Sequence, residues 1–138
     1  MKTKSLNSIA LMIFVTVLIS ILPSCKTEED SGPSLPNELL GTWSKTFGKS
    51  PYICTQTWTF RQHGYTFAES CYSYNPTSYD DKVAEIFLSE SMFRTPDDQY
   101  IAWHIDGNNL YLYTTNPGDS KPSLGSNWWA TYSPYLKQ

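Results

Sequence analysis

From Leu39 onward, apolar and polar side chains alternate with period two, Tyr, Trp, Phe, Thr and Ile dominate, and turn residues recur at short intervals. Such alternation puts every second side chain on the same face of a sheet, so this part of the chain is predicted to be all-β. The stretch 81–91 is ambiguous, because Val83, Ile86, Phe87 and Glu90 also fit helical spacing; we read it as a strand. Near the start the pattern is different. Residues 9–22 form an apolar run of 14 residues broken only by Thr16 and Ser20, whereas a permanent membrane-spanning helix needs about 20.

The clearest hairpin joins 52–60 to 65–73 through the loop Arg61-Gln62-His63-Gly64, in which Gly64 can take a positive φ. With Phe60 opposite Tyr65, Trp58 falls opposite Phe67, Gln56 opposite Glu69, and Cys54 opposite Cys71. Directly opposed strand residues lie near disulfide distance, so the two cysteines check the register independently. A slip of one residue would send them to opposite faces. In this register Cys54, Trp58, Phe60, Tyr65, Phe67 and Cys71 share the core side, while Thr55, Thr57, Thr59, Thr66, Ala68 and Ser70 share the other.

A second hairpin runs over 100–105, turns at Asp106-Gly107-Asn108-Asn109 and returns over 110–115. Ile101, Trp103, Ile105, Leu110 and Leu112 form its core face, and Ala102, His104, Tyr111 and Tyr113 the other. Thr95-Pro96-Asp97-Asp98 is the turn that leads into it. A Pro/Gly-rich loop at 116–125 then precedes a closing strand expected at 127–132.

Lys2 and Lys4, the apolar run and the junction Leu22-Pro23-Ser24-Cys25 follow the plan of a cleaved signal peptide, assigned to 1–24. The junction resembles the bacterial lipobox, which implies that the Cys25 thiol carries diacylglycerol and becomes the new N-terminus. Two or three acyl chains anchor stably where one does not, at about 0.8 kcal/mol per buried methylene. Residues 25–36 then read as the lipidated N-terminus and a polar tether. Its Glu28, Glu29 and Asp30 resemble the surface-export signal of outer-membrane lipoproteins in one phylum of Gram-negative bacteria, which implies display at the cell surface; the alternative is a solvated tether facing the periplasm. The domain occupies 37–138.

Charge and cysteine count refine this picture. The whole chain carries a formal charge of −3, and losing Lys2 and Lys4 with the leader leaves about −5. No basic stripe exists to neutralise phosphates, so nucleic acid is not an expected partner. With Cys25 acylated, Cys54 and Cys71 remain, an even pair that reads as a disulfide in an oxidising compartment.

Leu39-Leu40-Gly41-Thr42-Trp43, then Trp58-Thr59-Phe60, Gly64-Tyr65 and the segment 100–112 together resemble the small lipocalin-like domains of bacterial lipoproteins. The resemblance implies an antiparallel up-and-down barrel of about eight short strands. Gly41 and Trp43 match the Gly-x-Trp element that opens the first strand and plugs one barrel end. Family members commonly lay a basic side chain over this tryptophan from the last strand; no arginine follows Arg94, which leaves Lys121 and Lys137.

Catalytic chemistry is absent from the sequence pattern. His63 and His104 fall on different hairpins, and Asp80-Asp81 and Asp97-Asp98 sit in turns where Asp helps the backbone bend, so neither a metal site, a cofactor nor an enzyme is expected. Gln56 and Glu69 share the core face with Trp58 and Phe67. They either hydrogen-bond each other near an open end or, together with Trp58, Phe67 and Trp103, form the polar and aromatic contacts of a ligand pocket. Tyr111, Tyr113 and one of Trp128 and Trp129 point outward, either covered by a loop or free to meet a glycan or protein partner. The leading expectation is a non-enzymatic lipoprotein binding a small, partly apolar ligand; the alternative is an interaction module for glycan or protein, such as a protease. Expression with a labelled fatty acid should mark the wild-type chain, and Cys25→Ala should lose both label and membrane association; equal labelling of the two would remove the lipid anchor from the account.

Overall fold

The computed structural model describes residues 32–72 and 74–138. The assigned signal peptide, Cys25, and Glu28, Glu29 and Asp30 lie outside the described residues. Nine antiparallel strands follow one another: β1 Gly41–Lys49, β2 Tyr52–Arg61, β3 Gly64–Cys71, β4 Tyr74–Lys82, β5 Glu85–Phe87, β6 Met92–Arg94, β7 Tyr100–Asp106, β8 Asn109–Thr114 and β9 Tyr135–Lys137. They form one curled sheet in the order β4-β3-β2-β1-β9-β8-β7-β6-β5, a half-barrel. The class is the all-β, barrel-like one that the alternation predicts.

Strands β1 to β4 form one meander and β5 to β8 another. β9 lies between β1 and β8, with Trp43 opposite Lys137 on one side and Leu110 opposite Tyr135 on the other. The remaining edges belong to β4 and β5. β4 carries Pro76, Asp80, Asp81 and Lys82, residue types that discourage another strand from pairing there.

Cross-strand rungs order the first meander. Gly41, Phe60, Tyr65 and Asp81 form one rung, Trp43, Trp58, Phe67 and Tyr79 the next, Lys45, Gln56, Glu69 and Thr77 a third, and Phe47, Cys54, Cys71 and Tyr74 the last. The β2–β3 register is the predicted one throughout. Cys54 and Cys71 stand at disulfide distance, with Cα atoms 4.1 Å apart. The turn is tighter than expected, because Arg61 pairs with Gly64 and only Gln62 and His63 lie between them. Gly64 is required for a different reason from a positive φ: a Cβ there would stand 2.5 Å from the Asp81 carbonyl oxygen of β4. Gly41 does need glycine's freedom, since its φ is +118°.

Trp43 is 1% exposed, and its indole N–H donates to the Leu39 carbonyl at 2.9 Å. Lys137 lies over its ring, 4.9 Å from Nζ to the centroid, a cation–π contact. Lys121, the other basic candidate, instead lies over Phe87 and pairs with Glu90.

The second hairpin also keeps its predicted register, with Ile105 opposite Leu110, Trp103 opposite Leu112 and Gly107-Asn108 at the turn. Besides the tighter β2–β3 turn, and Asp80-Asp81 lying in strand β4 where a turn was expected, three further expectations require correction. The stretch 81–91 is not one strand: β4 ends at Lys82, β5 spans only Glu85–Phe87, and a 3-10 turn at Leu88–Glu90 ends at Ser91 with φ 46°. The mixed periodicity there reflects this break, and the split raises the strand number to nine. Second, 127–132 is not the closing strand. Trp128–Thr131 is a 3-10 turn, and β9 follows Pro134, which has no N–H to give a ladder. A strand would point Trp128 and Trp129 to opposite faces, whereas the turn lets both pack against the outer face of β7 and β8. Third, packing begins before residue 37: Leu35 is 3% exposed, its N–H bonds the Gln62 carbonyl at 2.7 Å, and His63 Nδ1 lies 3.2 Å from the Pro33 carbonyl.

The core joins Leu35, Leu39, Trp43, Trp58, Phe60, Tyr65, Val83, Phe93, Ile101, Trp103, Leu110, Leu112 and Tyr135. Phe93 of β6 is its connector, with ring centroids 5.7 Å from Tyr65, 6.3 Å from Phe60 and 6.2 Å from Trp103. Phe93→Ala should therefore lower unfolding stability by about 3–5 kcal/mol in urea titration. A loss under about 1 kcal/mol, well below that range for a filled site, would show that the two meanders do not meet there.

Candidate functional site

The five side chains that the sequence groups as a pocket separate in the fold. Gln56, Trp58, Phe67 and Glu69 do come together on adjacent rungs of β2 and β3, with Trp58 and Phe67 centroids 4.9 Å apart. Trp103 does not join them directly, because Phe93 stands between it and the Phe60–Tyr65 pair.

The polar members are already engaged with one another. Gln56 Nε2 donates to Glu69 Oε2 at 2.5 Å, the Tyr135 hydroxyl donates to Gln56 Oε1 at 2.7 Å, and the Tyr74 hydroxyl donates to Glu69 Oε1 at 2.6 Å. Lys45 completes the layer, its Nζ 4.2 Å from the Tyr135 ring centroid. The chain Tyr135–Gln56–Glu69–Tyr74 caps the aromatic interior beside the cysteine pair, with both Gln56 and Glu69 half-buried. Hydrogen bonds from Tyr74 and then Gln56 hold the Glu69 carboxyl below its ordinary range, against a smaller opposing effect of desolvation. Burial lowers the Lys45 ammonium pKa and is the main cause of the raised Tyr135 pKa. The buried Trp58 indole N–H lacks an acceptor in hydrogen-bonding geometry, although the Tyr135 oxygen lies near it.

A cleft of about 320 Å³ lies elsewhere, on the outer face of β6 and β7. Its volume falls at the low end of the ~300–1,000 Å³ typical of small-molecule sites. Met92, His104, Trp128 and Trp129 give its apolar and aromatic surface, and Ser89, Glu90, Ser91 and Ser126 its polar one. Trp103 borders it too, with its amide N–H taken by the Ser91 carbonyl at 2.8 Å.

The local sequence explains how this cleft is built. Alternation along β7 sends Trp103 inward and Ala102 and His104 outward, and Met92, opposite Ala102, shares the outer face. That face is apolar enough to need a cover, which the 3-10 turn supplies. Trp129 stacks on His104 at 4.3 Å with an 8° interplanar angle and tilts against Tyr111, while Trp128 meets Tyr113 and Tyr132 edge-on. His104, on the non-core face as the sequence predicts, is thus a packed ring. Lys121 pairs with Glu90 and lies 3.9 Å from the Phe87 ring centroid, and the Gly118 N–H bonds the Asp97 carbonyl at 2.9 Å. These contacts hold the loop that supplies Leu124, Gly125 and Ser126 to the opposite wall.

Sequence reasoning placed one of the two tryptophans outward and missed that both line one cleft. The Ser/Gly-flanked Trp-Trp step was the available signal. Among the described residues, no group of three or more His, Cys, Asp or Glu side chains is arranged to hold a metal ion. Comparison with protein-family models, curated proteins and solved structures finds no match to this chain.

The depressed Glu69 pKa fixes a sign for pH dependence. The group is more acidic folded than unfolded, so its stabilisation is present above the ordinary glutamate range and is lost as pH falls through the folded value. Tyr74→Phe should move the Glu69 carboxyl midpoint, followed by NMR, upward toward 4.5, and should reduce the acid-side loss of stability. An unmoved midpoint would remove Tyr74 from the network.

Proposed function

We propose that this chain is a lipid-anchored, non-enzymatic binding protein of lipocalin-like build, displayed at the cell surface, which captures a small, partly apolar ligand in the outer cleft. The Cys25 junction and the acidic residues behind it support the anchor and the address. Gly41, Trp43 and the Lys137 side chain over Trp43 support the lipocalin-like reading, because they supply the opening element and the basic cover expected of it. The observation that carries the binding function is the cleft, where aromatic and hydroxyl-bearing residues converge in one partly enclosed space.

The competing place for a ligand is the interior layer at Glu69. Its carboxylate and the Gln56 amide already satisfy each other and two tyrosine hydroxyls, which favours a structural role there.

N-phenyl-1-naphthylamine, a neutral and partly apolar fluorophore, discriminates between the two sites. The wild-type domain should show a saturable fluorescence gain that Ser126→Trp, which fills the cleft from its exposed rim, abolishes without lowering the thermal midpoint. A saturable gain that survives Ser126→Trp and is lost in Glu69→Gln would move the binding site inside the half-barrel. No saturable gain at all would contradict ligand capture by this cleft. Protease added to intact cells should remove the domain, and full protection would place it facing the periplasm.

A further inference from the structure

Resting on the cleft reading above, we infer that the ligand is a neutral carbohydrate, bound with the C–H face of a pyranose ring against the indoles of Trp128 and Trp129. Three features of the cleft point to this chemistry.

The first is the division of its surface. Aromatic rings from one short turn, Trp128 and Trp129, line the cleft beside His104, and the hydroxyl-bearing residues Ser89, Ser91 and Ser126 line it as well. A pyranose has the matching division, with an apolar C–H face and a rim of hydroxyls that both donate and accept. A wholly apolar ligand would leave the serines facing it without partners, at a cost that grows with their desolvation.

The second feature is charge. The cation beside the cleft, Lys121, is held by Glu90 and by the Phe87 ring, so the pair brings both signs and little net field. An anionic sugar or a nucleotide would have to break that pair to gain a counter-ion, and would meet a mature chain of net charge about −5. Neutral sugars avoid both penalties.

Rigidity is the third. Trp129 rests on the cross-strand pair His104 and Tyr111, stacked on the first and tilted against the second, and Trp128 is held edge-on by Tyr113 and Tyr132. Rings fixed before binding lose little conformational freedom when a ligand settles on them, and this matters most for weakly bound ligands such as single sugars. The partial exposure of both indoles leaves surface for a ring to cover.

The test uses the mature domain on an array of neutral, sialylated and sulfated glycans, followed by calorimetric titration of the retained compounds. Retention of neutral glycans is expected, with negligible retention of the acidic ones. Trp128→Ala should weaken the titrated affinity about tenfold or more, a change of about 1.4 kcal/mol per factor of ten. Ser126→Trp, which leaves the aromatic cluster intact, should abolish binding and so covers the case in which Trp128→Ala fails to fold. Preferential retention of acidic glycans, or neutral-glycan binding unaffected by Ser126→Trp, would overturn the inference. If no glycan binds while N-phenyl-1-naphthylamine still saturates a site blocked by Ser126→Trp, the carbohydrate assignment fails and the cleft reading stands. Failure of both ligands removes both.

Discussion

Two four-stranded meanders meet in this fold, and β9 holds them in one sheet with three residues. Tyr135 and Leu136 face β8, and Leu136 and Lys137 face β1, so the same short segment bonds both ways. A ladder of that length is weak by itself. What secures it is the packing around Trp43, the β1 residue opposite Lys137: the indole is buried under the lysine, bonded to Leu39 and followed by Trp58 on the same rung. Tyr135 adds a second tie, since its ring packs in the core while its hydroxyl reaches Gln56 on β2. The curvature that turns a flat meander into a half-barrel therefore depends on a few aromatic contacts at the junction.

That junction also decides where open space remains in the fold. With the inner face occupied by Trp43, Trp58, Phe60, Tyr65, Phe93 and Trp103, each at most 4% exposed, the interior is a packed aromatic core topped by a self-satisfied polar layer. The outer face of β6 to β8 is apolar as well, with Met92 and Ala102 buried and Tyr111 and Tyr113 half-covered. Covering it takes the long connection from β8 to β9, and the cleft forms where that cover stops short of the 3-10 turn at Leu88–Glu90. The loop that allows β9 to return to the sheet is thus the same one that builds the cleft wall.

Local pairing was legible in the sequence wherever side chains announced it. The opposed cysteines and the aromatic alternation of β2 and β3 specified a register that recurs residue for residue, and Gly107-Asn108 specified the β7–β8 turn. Gly41-x-Trp43 marked the true start of β1. The site was much less legible. Trp103 has the parity of the core face, but parity cannot reveal that Phe93 separates it from Trp58, because that depends on how far the sheet curls. Trp128 and Trp129 lie in a stretch whose alternation suits a strand, and only the apolar demand of the β7–β8 outer face makes a turn preferable. β9 was missed because three residues after a proline carry too little pattern to be recognised.

The outer cleft is open to solvent and the aromatic interior is closed to it. Hydrogen exchange of the five tryptophan indole N–H groups, resolved by NMR in the mature domain, tests it most directly. Slow exchange is expected for Trp43, Trp58 and Trp103, and fast exchange for Trp128 and Trp129. Exchange at Trp58 as fast as at Trp128 would contradict it, because it would show an interior open to solvent.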